Sequence, residues 1–137
     1  MKESASKSVA YRSGKVLVQG RFRDDLVVIT RGDRIASVQG VDDPLDDGVQ
    51  IIDLAGNYLL PGFIDTQVNG GGGVLFNDQP TVEGIRTIAE AHRAFGTTSL
   101  LPTLISDDLE VVEKGLKAAR DAIAAGVPGV RGIHIEG

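Results

Sequence analysis

Residues 62–68 read GFIDTQV, residues 97–104 read TTSLLPTL and residues 130–135 read VRGIHI. Each is a short, apolar, β-prone run, and helical periodicity fills the gaps between them. In the first gap a helix is expected over Thr81 to Phe95. Thr81 is its cap, Glu83 sits near the positive end of its dipole, and Gly96 stands at the stop position. Val82, Ile85, Ile88, Ala89 and Phe95 mark one face. In the second gap Ser106 is the expected cap, with Asp107, Asp108 and Glu110 in the first turn. Val112, Leu116, Ala119 and Ile123 form the expected buried stripe, and Gly126 ends the helix. Strands alternating with helices imply right-handed crossovers and a parallel sheet, so the fold class expected for residues 61–137 is α/β.

Working outward toward the N-terminus, residues 9–60 have a different rhythm. KVLVQ (15–19), LVVIT (26–30) and RIASVQ (34–39) are short strand patterns, the last two joined at Arg31-Gly32-Asp33 as a hairpin. VDDPLDDG (41–48) is an acidic loop. Gln50 to Leu54 and Tyr58 to Leu60 flank a turn signal at Ala55-Gly56-Asn57. This all-β region is too small to be a comfortable domain alone. Residues 1–8, MKESASKS, read as a disordered tail, because they are polar and lack the apolar segment of a signal peptide.

The whole chain has 137 residues, with 42% hydrophobic and 24% charged, an ordinary globular composition. Its 14 Lys and Arg against 19 Asp and Glu give a net charge of −5. No basic surplus is available to neutralise a phosphate backbone, so nucleic acid is not an expected partner. No stretch reaches the ~20 apolar residues of a membrane span, so no membrane partner is expected either. With no cysteine, disulfides and thiolate chemistry are excluded, which fits a reducing, cytoplasmic location.

Active groups in α/β sheets gather at the carboxyl ends of parallel strands. The first strand ends at Gln67 and Asn69, followed by Gly70 to Gly73; the third ends at His134, Ile135, Glu136 and Gly137. Gln67 and Asn69 are two residues apart, so their amides face the same way on a strand. They read either as a polar pair holding a water or substrate group, or as a plain turn before a flexible glycine loop. That loop is not a nucleotide-binding P-loop, since no Lys-Ser or Lys-Thr follows it. Glu136 reads either as a cation ligand or as a solvated strand end. His134 shares its facing and reads either as a ligand or, more simply, as a structural residue. His92 lies within a helix and is read as structural. No Ser-His-Asp set can be assembled.

Three strings, YLLPGFIDTQVNGGGG (58–73), AHRAFGTTSLLPTLIS (91–106) and GVRGIHIEG (129–137), occur in the order and spacing of one family. In them the chain resembles the N-terminal part of N-acetylglucosamine-6-phosphate deacetylases, in the metal-dependent amidohydrolase superfamily. The resemblance implies that residues 9–60 are part of a small β-sandwich completed by strands from the far C-terminus. It implies that residues 61–137 are the first three strands and two helices of a (β/α)8 TIM barrel, a fold that needs roughly 250 residues. Where many amidohydrolases carry His-x-His, this chain has Gln67 and Asn69, which points to the subgroup with one catalytic metal. In that subgroup Glu136 matches the carboxylate ligand, Gln67 at most touches the metal's water, and Asn69 orders the same pocket. The resemblance implies one divalent metal ion, zinc first, with iron, manganese or cobalt as alternatives.

The implied activity is hydrolysis of the acetamide of N-acetylglucosamine 6-phosphate to glucosamine 6-phosphate and acetate. The implied partners are the sugar phosphate, the remaining C-terminal barrel portion or a companion chain, and a second copy in a homodimer. No catalytic residue is assigned within this chain. One carboxylate falls short of the roughly three protein ligands of catalytic zinc, so the chain alone is expected to be inactive. The alternatives are another amidohydrolase acting on a cyclic amide or a different N-acyl group, and a truncated, non-catalytic binding or assembly module. A dihydroorotase-like enzyme is expected to show His at 67 and 69, which this chain lacks.

Overall fold

The computed structural model describes residues 7–137. The tail expected over residues 1–8 lies outside them up to residue 6. Ser8, by contrast, opens the first strand, and the Lys7 carbonyl accepts from the Gly32 N–H at 3.5 Å. The chain divides into two compact units, Met1–Pro61 and Gly62–Gly137.

In the first unit β1 (Ser8–Arg12), β4 (Leu26–Arg31), β5 (Arg34–Gly40) and β6 (Gln50–Asp53) form one sheet in the order β5-β4-β1-β6. A second sheet has the order β3-β2-β7, from β2 (Lys15–Val18), β3 (Arg21–Arg23) and β7 (Tyr58–Leu59). Arg31 pairs with Arg34 across a two-residue turn whose Gly32 takes φ +61°, so the expected hairpin forms. The two sheets face each other where Val16, Val18 and Leu59 pack on Leu26 and Val28. β1 and β3 have no counterpart in the sequence reading. β1 is defined by pairing with distant residues, Ala10 lying opposite both Ile29 and Ile51, whereas β3 folds back on β2 across a two-residue turn at Gln19-Gly20, both with positive φ. The Ala55–Asn57 turn does not make a hairpin: β6 runs parallel to β1 and β7 parallel to β2, so the turn carries the chain from one sheet to the other.

The second unit is a three-stranded parallel sheet in the order β12-β11-β8, from β8 (Phe63–Val68), β11 (Thr97–Leu104) and β12 (His134–Ile135). Helices α1 (Val82–Arg93) and α2 (Leu109–Ala124) connect the strands. A short hairpin of β9 (Gly70–Gly71) and β10 (Val74–Leu75) follows β8. The core is built by Val68, Phe76, Ile85, Ile88, Leu100 and Leu104, with the alanines of α2.

α1 follows its local signals. The Thr81 hydroxyl accepts from the Gly84 N–H at 3.0 Å, and Ile85 and Ile88 are fully buried. Phe95 departs from the expected face and is 83% exposed. The helix has ended at Arg93, so its periodicity no longer governs Phe95.

α2 departs further. Ser106 does not cap it; Asp108 is the N-cap residue, and the Ser106 hydroxyl donates to the Gly137 carbonyl instead. The buried face is Gly115, Ala118, Ala119 and Ala122, while Leu116 and Ile123 stay about half exposed. Size decides this, not hydrophobicity. A Cβ on Gly115 would lie 2.5 Å from Leu104 Cδ1, so only the small-residue face can approach β11.

The third strand is shorter than the run 130–135. Val130 makes one bridge to Leu100, and the ladder resumes only at His134. Leu100 N–H and C=O bond Gly129 and Arg131, and Leu104 C=O accepts from Glu136 N–H, so these alternate residues of β11 point at β12. Pro102 falls in the same alternation and has no N–H to give.

Among the described residues no helix is long and apolar enough to cross a membrane.

Gly115→Ala should destabilise the second unit by roughly 1–3 kcal/mol through overpacking against Leu104, despite the better helix propensity of alanine. Lys117→Ala, on the exposed face, should change stability by no more than about 0.5 kcal/mol. Urea unfolding followed by circular dichroism reads both.

Candidate active site at the ends of the parallel strands

The pairing of β8 with β11 is irregular where the strands end. Asp65 pairs with Leu100 and Val68 with Pro102, so Thr66 and Gln67 lie opposite the single residue Leu101. This is a β-bulge, with one extra residue in β8. Side chains tie its backbone. The Gln67 N–H donates to Asp65 Oδ1 at 3.1 Å, and the Val68 N–H donates to the fully buried Thr103 hydroxyl at 2.8 Å. The Thr103 hydroxyl in turn donates to the Leu101 carbonyl at 3.0 Å.

Beyond the bulge the two amides converge on one carboxylate oxygen. Gln67 Nε2 lies 2.6 Å and Asn69 Nδ2 3.2 Å from Glu136 Oε1. An ionised carboxylate only accepts, so both amides present their N–H groups to it. Glu136 stands on the far side of β11 from β8, and its backbone N–H is held by Leu104. Among the described residues no hydrogen bond reaches Oε2, and Glu136 is exposed.

His134 is placed beside this cluster, with Nδ1 2.9 Å from the Thr66 carbonyl. His92 supports the glycine loop from α1, with Nε2 2.9 Å from the Gly70 carbonyl. Of the glycines that follow Asn69, Gly71 and Gly72 approach α1 closely. Gly72 has φ +62°, and a Cβ there would lie 2.9 Å from Thr87 Cγ2.

The sequence reading missed Asn77. It is 8% exposed and sits between β10 and α1. Its amide donates to the Ile105 carbonyl (3.1 Å) and Asp107 Oδ2 (2.8 Å), and its oxygen accepts from the Ile105 N–H (3.0 Å). An asparagine in a polar loop gives no local sign of such a role. Asn77 joins the loop after β8 to the loop after β11, and Ser106 joins that loop to the end of β12. The Asn77 amide, with help from the Asp108 N–H, holds the Asp107 carboxyl below the usual range.

Among the described residues no group of three or more His, Asp or Glu is arranged to hold a metal ion. The site is thus a mixed α/β frame presenting one carboxylate, steered by two amides, where the strand ends of α/β enzymes carry their chemistry.

No protein-family model matches the chain. Its relatives are nonetheless specific. It is 55% identical over 84 residues, 61% of its own length, to an N-acetylgalactosamine-6-phosphate deacetylase of Shewanella sp. (strain ANA-3), and these residues make up 21% of that protein. It is 41% identical over 113 residues to the N-acetylglucosamine-6-phosphate deacetylase of Haemophilus influenzae, covering 82% of this chain and 29% of that one. The crystal structure of N-acetylglucosamine-6-phosphate deacetylase from Pasteurella multocida superposes with a TM-score of 0.88 at 32% identity, over 95% of this chain and 34% of that one. The chain is a relative of the N-acetylglucosamine-6-phosphate deacetylases and spans less than a third of the length of these curated relatives.

Asn77→Leu should cost roughly 1–3 kcal/mol, because it leaves both backbone groups of Ile105 without their partner. The Asp107 carboxyl should then titrate nearer its ordinary value. Its folded pKa is depressed, so the Asn77–Asp107 link contributes above the unfolded pKa and is lost as pH falls through the lowered folded one. Carboxyl titration by NMR, with urea unfolding across the acid range, should show that loss in the parent chain and its absence in Asn77→Leu.

Proposed function

We propose that the chain is the N-terminal portion of a deacetylase acting on an N-acetylated amino-sugar 6-phosphate. The observation that carries this is the convergence of Gln67 and Asn69 on Glu136 at the strand ends, in a chain whose relatives bear that name. On this reading Gly62–Gly137 is the start of a (β/α)8 barrel and the first unit is part of a small β-sandwich. The apolar groove of that unit, about 370 Å3 between residues such as Val18, Val38 and Leu59, is where further strands would lie.

The residues present fit one arm of a divalent metal site and no more. Glu136 Oε2 would take the ion, while Gln67 and Asn69 hold Oε1 and so fix the carboxylate plane. Zinc is the first choice, with iron, manganese or cobalt as alternatives. When bound, such an ion lowers the pKa of a coordinated water and polarises the acyl carbonyl. The remaining ligands and the general base belong to residues beyond Gly137. The Asn77 and Ser106 links hold the three strand-end loops as one rim around Glu136.

A second reading concerns the sugar. The 55% identity is to a protein named for the galacto epimer, which differs from the gluco form in the configuration of one hydroxyl. Residues that read that hydroxyl are not assigned within this chain, so both sugars belong in the assay.

The 137-residue chain alone, with zinc added, should release no acetate from either sugar phosphate. Complemented by the C-terminal portion of the H. influenzae relative, it should do so, and a chelator should abolish the activity. Glu136→Gln should then lower turnover at least about 100-fold, and Gln67→Ala about 10- to 100-fold, as expected for a ligand and for its orienting partner. Turnover by the chain alone, or full activity in Glu136→Gln, would contradict the assignment.

A further inference from the structure

The bulge in β8 leaves three backbone groups to side chains. Asp65 and Thr103 take two of them, both from the same strand or its neighbour. The third is different. The Thr66 carbonyl accepts from His134 Nδ1 at 2.9 Å, and His134 is on β12, with β11 lying between. A carbonyl can only accept, so Nδ1 is the donor in this bond.

His134 is two residues before Glu136, and Thr66 directly precedes Gln67. The His134–Thr66 and Glu136–Gln67 bonds are therefore successive rungs over the same middle strand. The β12 side needs such a tie. Its ladder is interrupted opposite Pro102 and comprises only His134 and Ile135 before Glu136. A carboxylate on so short a strand is placed by whatever fixes that strand to β8.

We propose that His134 is a positioning residue: its Nδ1–H bond to the Thr66 carbonyl sets the spacing between the ends of β8 and β12, and so holds the Gln67 and Asn69 amides on Glu136 Oε1. The bearing of this on catalysis rests on the deacetylase reading above; the geometry itself is a property of this chain. The ring acts through Glu136 and need not touch substrate or metal. A histidine serving only to fill space would be replaceable by any residue of similar bulk. A histidine serving as this donor is replaceable only by a side chain that puts an N–H at the same place, and asparagine does so, its Nδ2 standing where Nδ1 stands.

The experiment is side-chain amide NMR on the whole 137-residue chain without metal. In the parent chain the Gln67 and Asn69 amide protons should be displaced from free-amide positions, and Glu136→Ala should return them there. His134→Ala should do the same, while the backbone signals of α1 stay in place, and His134→Asn should restore the parent pattern. Should His134→Ala unfold the unit, a folded His134→Asn with the parent signals supports the proposal equally. Unmoved Gln67 and Asn69 signals in His134→Ala would overturn it, as would His134→Asn behaving like His134→Ala, folded or not. In the complemented enzyme His134→Ala should lower kcat about 10- to 100-fold at little change in KM, with recovery in His134→Asn. If no complemented enzyme hydrolyses either sugar phosphate, the functional reading fails while the NMR outcome still decides the role of His134.

Discussion

One extra residue in β8 sets the geometry of everything at the strand ends. Between Asp65 and Val68 the strand carries Thr66 and Gln67, where its partner offers only Leu101. An extra residue takes backbone groups out of the ladder, and those groups are then open to other partners. Here Asp65, Thr103 and His134 supply them. Each comes from a different strand of the three, so satisfying the bulge also binds the strands together at the height of the site. The convergence of two amides on Glu136 is the outward face of this arrangement.

Pro102 contributes from the other edge of β11. It lies in a middle strand, where proline removes a ladder donor, and the pairing with β12 is broken at its level. β12 therefore gains little from backbone pairing alone. The side-chain ties of His134 and Glu136 to β8, and of Ser106 to Gly137, take over that task. The carboxylate is consequently held more by side chains than by the sheet that carries it.

Much of this is legible in the sequence where the cause is local. α1 is written in Thr81, Ile85, Ile88 and Gly96, all within one helix length. The hairpin at Gly32 is written in a turn dipeptide between two β-prone runs. Where the cause is not local, the reading fails. Hydrophobicity ranks Leu116 and Ile123 above Ala118 and Ala122, yet close packing against Leu104 requires the small face. β1 is a strand only because distant residues pair with it, as Ala10 does with Ile29 and Ile51. At the site, the period of two makes Gln67 and Asn69 a pair, and the resemblance singles out Glu136. That the amides donate to the carboxylate depends on the bulge, and that Asn77 clamps two loops depends on tertiary placement; no spacing encodes either.

The most direct measurement is a crystal structure of the 137-residue chain. The account expects Thr66 and Gln67 opposite Leu101, His134 Nδ1 on the Thr66 carbonyl, and Glu136 Oε1 within hydrogen-bond reach of both amides. A regular β8–β11 ladder with the Glu136 carboxylate turned away from β8 would contradict it.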